Sequence, residues 1–125
     1  MKPPRPKTAA QGIGQQAEDT ALAWLQTQGL RLVARNYHSR YGEIDLILLD
    51  RKTLVFVEVR YRRSRRHGSA AESVTRQKQV RLLNTAACFL RDYRHDGPSR
   101  FDVAALEPGP EGLSLDWIRD AFQAG

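Results

Sequence analysis

The sequence has little of what marks an exported or membrane-embedded chain. Its one cysteine, Cys88, can close no intramolecular disulfide, and its setting in the apolar run AACFL suits core packing in a reduced compartment. No apolar stretch approaches the roughly 20 residues that a bilayer-spanning helix needs. The N-terminus, MKPPRPKTAA, is basic but lacks the apolar segment of a secretory signal. These absences exclude an integral membrane protein and predict a cytoplasmic location. Acidic residues are also in the minority, with 14 Asp and Glu against 20 Lys and Arg. The resulting formal charge of +6 favours a polyanionic partner, nucleic acid or an anionic membrane surface.

What is present fits one globular domain. Hydrophobic residues make up 41% of the 125 positions and charged residues 27%, far from the composition of a disordered chain. That length supplies a single core and not two. Residues 1–11 carry Pro3, Pro4 and Pro6 without apolar periodicity and read as a flexible basic arm. Residues 12–120 read as the folded domain and 121–125 as a C-terminal tail.

From Ile13 onward, Ile13, Ala17, Ala21, Trp24 and Gln28 recur at helical spacing, with Leu22 and Leu25 widening the stripe and Gly29 ending it. Strands are predicted over 30–37, 43–49 and 54–61. A second helix follows over 75–93, capped by Thr75, with Val80, Leu83, Ala87 and Leu90 on one face and Leu82, Ala86 and Phe89 beside them. A fourth strand over 101–106 and a short fifth over 113–118 complete the chain. The order helix, three strands, helix, one or two strands predicts an α/β fold with a mixed four- to five-stranded sheet between helices, and no internal repeat is present.

The segment Asp50-Arg51-Lys52-Thr53 makes a natural hairpin turn. If Leu49 pairs with Leu54, Asp45 falls across from Glu58 and Glu43 across from Arg60, all on the face that continues as Ile47, Leu49, Leu54 and Phe56. Ile44, Leu46 and Leu48 then oppose Val59, Val57 and Val55 on the other face, so both faces are covered. Two opposed carboxylates at the end of an apolar face repel each other, and a divalent cation relieves that repulsion. Mg²⁺, which takes one or two carboxylates plus water and phosphate, fits best, with Mn²⁺ the alternative. An ordinary polar sheet end, with a Glu43–Arg60 salt bridge and Asp45 bonded to a neighbouring cation, is the competing reading. Glu18 falls inside the apolar arc of the first helix, between Leu22 and Leu25, and an inward-facing Glu18 reaches the same corner.

Immediately afterwards comes RYRRSRRHGS, where Arg60, Arg62, Arg63, Arg65 and Arg66 crowd together. Like charges at that density repel unless a polyanion or solvent separates them, and arginines beside a metal site would contact phosphates. His38, His67 and His95 show no ligand spacing.

Taken together, GIGQQAEDTALAWL, GLRLVARNYHSRYGEIDLILLD, LVFVEVRYR, TRQKQVRLL and RFDVA resemble the YraN-like uncharacterised proteins, whose fold is similar to that of archaeal Holliday-junction resolvases. The resemblance implies a restriction-endonuclease-like three-layer core carrying the PD-(D/E)xK pattern. Asp45 matches its first acid, Glu58 its second, and Glu18 the acid such resolvases place on their first helix. It further implies a metal bound by Asp45, Glu58 and the Val59 carbonyl, with Glu18 a direct or water-mediated ligand. The position expected to be lysine is Arg60, which clamps phosphate but cannot act as a base. Lys78, near the start of the second helix, is a candidate for a migrated ammonium group, and Gln79 for orienting substrate or water. A solvated surface role is the alternative for both.

Three functions stay open on the sequence. One is a Mg²⁺-dependent, structure-selective DNA endonuclease acting on branched or irregular DNA. The second is a non-catalytic nucleic-acid-binding module that keeps the nuclease fold. The third is an interaction protein docking an acidic partner or anionic membrane through its arginine loop. An exposed edge on the last strands would serve a homodimer.

Overall fold

The computed structural model describes residues 9–63 and 74–123. The elements are α1 (Ala9–Thr27), β1 (Arg31–Ser39), β2 (Gly42–Asp50), β3 (Thr53–Tyr61), α2 (Arg76–Asp92), β4 (Ser99–Gly109) and β5 (Gly112–Phe122). The five strands form one sheet in sequence order. All neighbours pair antiparallel except β3 and β4, which run parallel because α2 carries the chain back across the sheet. No helix among the described residues is long and apolar enough to cross a membrane.

Each face of the sheet is covered by one helix, giving three layers. Ala17, Ala21 and Leu25 of α1 pack on Leu46, Leu48, Val55, Val57, Ala104 and Leu106. Leu82, Ala86 and Phe89 of α2 pack on Ile44, Ile47, Leu54, Phe56, Val103 and Ala105. The expectation of two covered faces therefore holds along β3, whose residues from Leu54 through Val57 are all buried.

The helix ends follow their local chemistry. Gly29 adopts φ +94°, and the Leu30 N–H bonds the Leu25 carbonyl while the Gly29 N–H bonds that of Gln26. This is a Schellman arrangement that needs a residue tolerant of positive φ. At α2 the Thr75 hydroxyl accepts from the Lys78 N–H at 3.2 Å, as the capping signal predicts.

Several expectations are corrected. Residues 1–8 of the stretch assigned to a basic arm lie outside the described residues, helix α1 begins at Ala9 within its last positions, and Gln28 is exposed beyond the helix end. On α2 the buried stripe is Leu82, Thr85, Ala86 and Phe89, while Val80, Ala87 and Leu90 face outward. Phe89 decides this choice: its ring meets Tyr37 and Phe56 edge-on and stacks on Tyr93. Cys88 is only half-buried and belongs to neither core cluster. Strand β5 continues to Phe122, past both the short strand and the start of the assigned tail. Its outer half bulges at Asp120, which takes φ +51°.

Candidate active site

The β2–β3 ladder runs in the expected register from Asp50↔Thr53 to Leu46↔Val57. Beyond that pair, the Asp45 carboxylate accepts the Val59 N–H at 2.8 Å, filling with a side chain the place of a ladder bond. Asp45 and Glu58 therefore meet at the point where the strands part, not as a regular cross-strand pair. On the opposite neighbour, Asn36 of β1 sits at φ +51° between the pairs Arg35↔Leu46 and Tyr37↔Ile44. Past the kink, Ile44 turns to the α2 side with Ile47, which corrects its assignment to the face of Leu46 and Leu48.

Burial dominates the electrostatics of this corner. Burial, reinforced by the negative charge of Glu58, pushes the Asp45 carboxyl up to about 8, although the Val59 N–H opposes the shift. Glu18 and Glu43 add smaller repulsions. Glu58 is also raised by burial, but the positive charges of Lys78 and then Arg60 hold it down, and its carboxyl lies within hydrogen-bonding reach of Asp45. The metal-free pair thus keeps a proton near neutral pH, held between the two carboxyls.

The remaining candidates divide clearly. Arg60 approaches Glu58 at 3.9 Å, while Glu43 pairs with His38 at 3.2 Å, so the anticipated Glu43–Arg60 bridge is replaced by two other pairs. Glu18 faces inward as its place in the apolar arc predicts, but Arg35 holds it at 3.5 Å and holds Asp19 at 2.8 Å. Lys78 does join the corner. With Gly42, Glu43, Glu58, Arg81 and Leu82 it lines a cleft of about 160 Å³. Gln79 instead donates to the Val74 carbonyl at 3.1 Å and helps to secure the first turn of α2. The Arg62 N–H bonds the Leu106 carbonyl, continuing the β3–β4 pairing, and Arg63 is exposed. Arg65, Arg66 and His67 lie outside the described residues.

The donor set can be tested against a cation. Among the described residues, no group of three His, Cys, Asp or Glu side chains is arranged to hold a metal. Asp45 and Glu58 supply two carboxylates, both desolvated, with the charge of Glu58 opposing that of Asp45, and that is the complement Mg²⁺ takes when water and phosphate fill its other positions. The pair fits Mg²⁺ or Mn²⁺ on those terms, without a third acid.

The chain also has relatives throughout its length. The model of the uncharacterised protein family UPF0102 matches residues 17–106, a span that runs from the middle of α1 into β4. The chain belongs to the UPF0102 family. A UPF0102 protein of Herminiimonas arsenicoxydans is 47% identical over 96% of this chain and 94% of its own length. Those of Methylococcus capsulatus and Alcanivorax borkumensis are 49% and 50% identical over 89% and 87% of this chain, each across 90% of its own length. The resemblance to YraN-like uncharacterised proteins is thereby borne out.

Three residues of this UPF0102 protein escaped the sequence reading. Arg81 shares the cleft with Lys78, and the signal was their separation by three positions on one helix, which puts both on the same face. Arg35 orients Glu18 from β1, and nothing in its local pattern announced that. Asp102, within RFDVA, is buried and accepts from Arg100, from the Trp117 indole N–H and from the Asp120 N–H. An acid flanked by apolar strand residues was its signal. It sits on β4 beside Val57 and, through its bonds to Trp117 and Asp120, holds β5 to β4.

Proposed function

We propose that this UPF0102 protein binds nucleic acid and cleaves phosphodiester bonds with Mg²⁺ or Mn²⁺, acting as a structure-selective DNA endonuclease of the restriction-endonuclease-like kind. The observation that carries the reading is a half-buried, desolvated carboxylate pair, Asp45 and Glu58, of which Glu58 lines a cleft together with Lys78 and Arg81. Asp45 and Glu58, with the Val59 carbonyl beside them, would hold the metal. When bound, it supplies an acidified water and a counter-charge for phosphate.

The chain's own groups do the rest. The Val59 N–H fixes the orientation of Asp45. The proton held by the metal-free carboxyl pair leaves when the cation takes its place. Lys78 provides a compact ammonium beside Glu58, the charge that the pattern ordinarily takes from a lysine two positions after the acid, where this chain has Arg60. Arg60 and Arg81 neutralise phosphate oxygens as negative charge develops on them. Arg62 and Arg63, with Arg65 and Arg66 of the same basic run, add phosphate contacts of the salt-dependent kind.

A second reading, a non-catalytic nucleic-acid-binding module, is favoured by two features: Arg60 at the lysine position, and Glu18 engaged by Arg35 instead of completing a three-acid cluster. One experiment separates them: incubation of a labelled four-way junction and a matched linear duplex with Mg²⁺, Mn²⁺ or EDTA. Wild type should cut the junction only with metal, and Glu58→Ala should bind it without cutting. Cutting that survives in Glu58→Ala removes the site. Binding without cutting under every metal condition selects the second reading.

A further inference from the structure

The hairpin between β1 and β2 has a cleft on each side. Its tip is fixed to α2 because the Ser39 hydroxyl donates to Thr85 at 3.1 Å, the Thr85 hydroxyl donates to the Arg81 carbonyl at 2.8 Å, and the Tyr41 N–H donates to Ser39 at 3.0 Å. One side is the acidic cleft with Glu58 and Lys78. The other is a cleft of about 480 Å³ whose walls include Arg40, Tyr41, His38 and Arg91, with no carboxylate among its lining residues.

We infer that this second cleft receives one unpaired nucleotide of a nucleic-acid strand, its base stacked at Tyr41 and its phosphate held by Arg40 and Arg91. Tyr41 is one of few large apolar side chains left exposed, at 37%. The Arg40 guanidinium lies 4.9 Å from its ring centroid and donates to its hydroxyl at 2.7 Å, so ring and cation form one platform. Such a platform recognises a base face and a phosphate together, and a base is available for stacking only where it has left the duplex. An acidic peptide would use the guanidiniums and leave the ring without a partner. A continuous duplex would do the same.

Both clefts border α2: Lys78 and Arg81 line the first and Arg91 the second, and the axial rise from Lys78 to Arg91 is about 20 Å. His38 at the second cleft pairs with Glu43 at the first, so the two are neighbours across the hairpin. This inference rests on the nucleic-acid reading above and specifies its substrate: a strand carrying an unpaired nucleotide close to the cleavage position.

The test is fluorescence anisotropy in EDTA, with a labelled oligothymidylate and a matched blunt duplex, on wild type, Tyr41→Ala, Tyr41→Phe and Arg91→Ala. Tyr41→Ala should weaken single-strand binding about ten-fold while duplex binding stays within about two-fold, and Tyr41→Phe should retain both. Arg91→Ala should weaken the single strand with a shallower salt dependence. The inference is overturned if Tyr41→Ala leaves single-strand affinity unchanged, if it lowers both affinities equally, or if wild type binds no single strand. Its failure is distinct from that of the nuclease reading. Metal-dependent cutting that is indifferent to Tyr41 removes only the nucleotide cleft, whereas Tyr41-dependent binding without cutting removes only the nuclease.

Discussion

Asp45→Asn isolates the electrostatic stress at the acidic corner. The amide oxygen can keep the Val59 N–H bond that the carboxylate makes at 2.8 Å, so the variant copies the protonated acid in shape without its ionisation. In the unfolded chain Asp45 ionises near pH 4, but in the fold it retains its proton up to about 8, first because of burial and then because of Glu58. Between those values the folded state binds the extra proton. Metal-free stability must therefore fall as pH rises, by at most about 1.4 kcal/mol per pH unit, and level off above the folded value. Glu58, also raised, adds to the decline with the same sign. The full linkage is about 6 kcal/mol for Asp45, of which at most about 4 kcal/mol falls between about pH 5 and 8, and relaxation of the corner with entry of water brings the expected loss over that window to about 2–4 kcal/mol. Urea denaturation in EDTA at about pH 5, 6.5 and 8 should show wild type losing that stability while Asp45→Asn changes much less. Added Mg²⁺ should restore wild type at the upper pH and leave the variant unaffected. Parallel pH profiles for the two proteins would refute the claim that Asp45 is a strained, desolvated acid.

Two further substitutions probe separate parts of the molecule. Lys78→Ala should lower the rate of metal-dependent junction cleavage by about 10- to 100-fold while changing junction affinity only a few-fold; equal losses in rate and affinity would make Lys78 a binding residue alone. Asp102→Ala strips a buried carboxylate from Arg100 at 3.0 Å and from the Trp117 indole at 2.9 Å. It should cost about 3–5 kcal/mol in urea denaturation, and a loss under about 1 kcal/mol would show that β5 is held by its apolar contacts instead.

The parts of the fold that could be read from sequence are those where one local rule acts alone. Strict alternation fixed the β2–β3 register as far as Leu46↔Val57, and Gly29 and Thr75 marked helix ends through backbone chemistry that only a few residue types satisfy. The reading failed where tertiary packing chooses between local options. Helix α2 carries two adjacent apolar stripes, and only the aromatic contacts of Phe89 select the buried one. Ile44 changes face because Asp45 takes a backbone N–H and interrupts the alternation that placed it. In β5 Trp117 and Ile118 alternate regularly between the α1 and α2 sides, and the bulge comes after them, between Ile118 and Phe122, where no alternating pattern anticipates it. At the candidate site, the meeting of Asp45 with Glu58 was legible from the hairpin alone. The grip of Arg35 on Glu18 was not, because it joins residues 17 positions apart through side chains of exposed or half-buried character.

The claim on which the account depends most is that Asp45 and Glu58 hold a divalent cation. Calorimetric titration of Mn²⁺ into wild type and Glu58→Gln, at about pH 7 and pH 9, tests it without reference to any substrate. Wild type should bind with release of a proton at the lower pH and more tightly at the higher, because Asp45 must lose its proton to serve as a ligand, and Glu58→Gln should bind at least about ten-fold more weakly. Equal Mn²⁺ affinity in the two proteins would contradict the account.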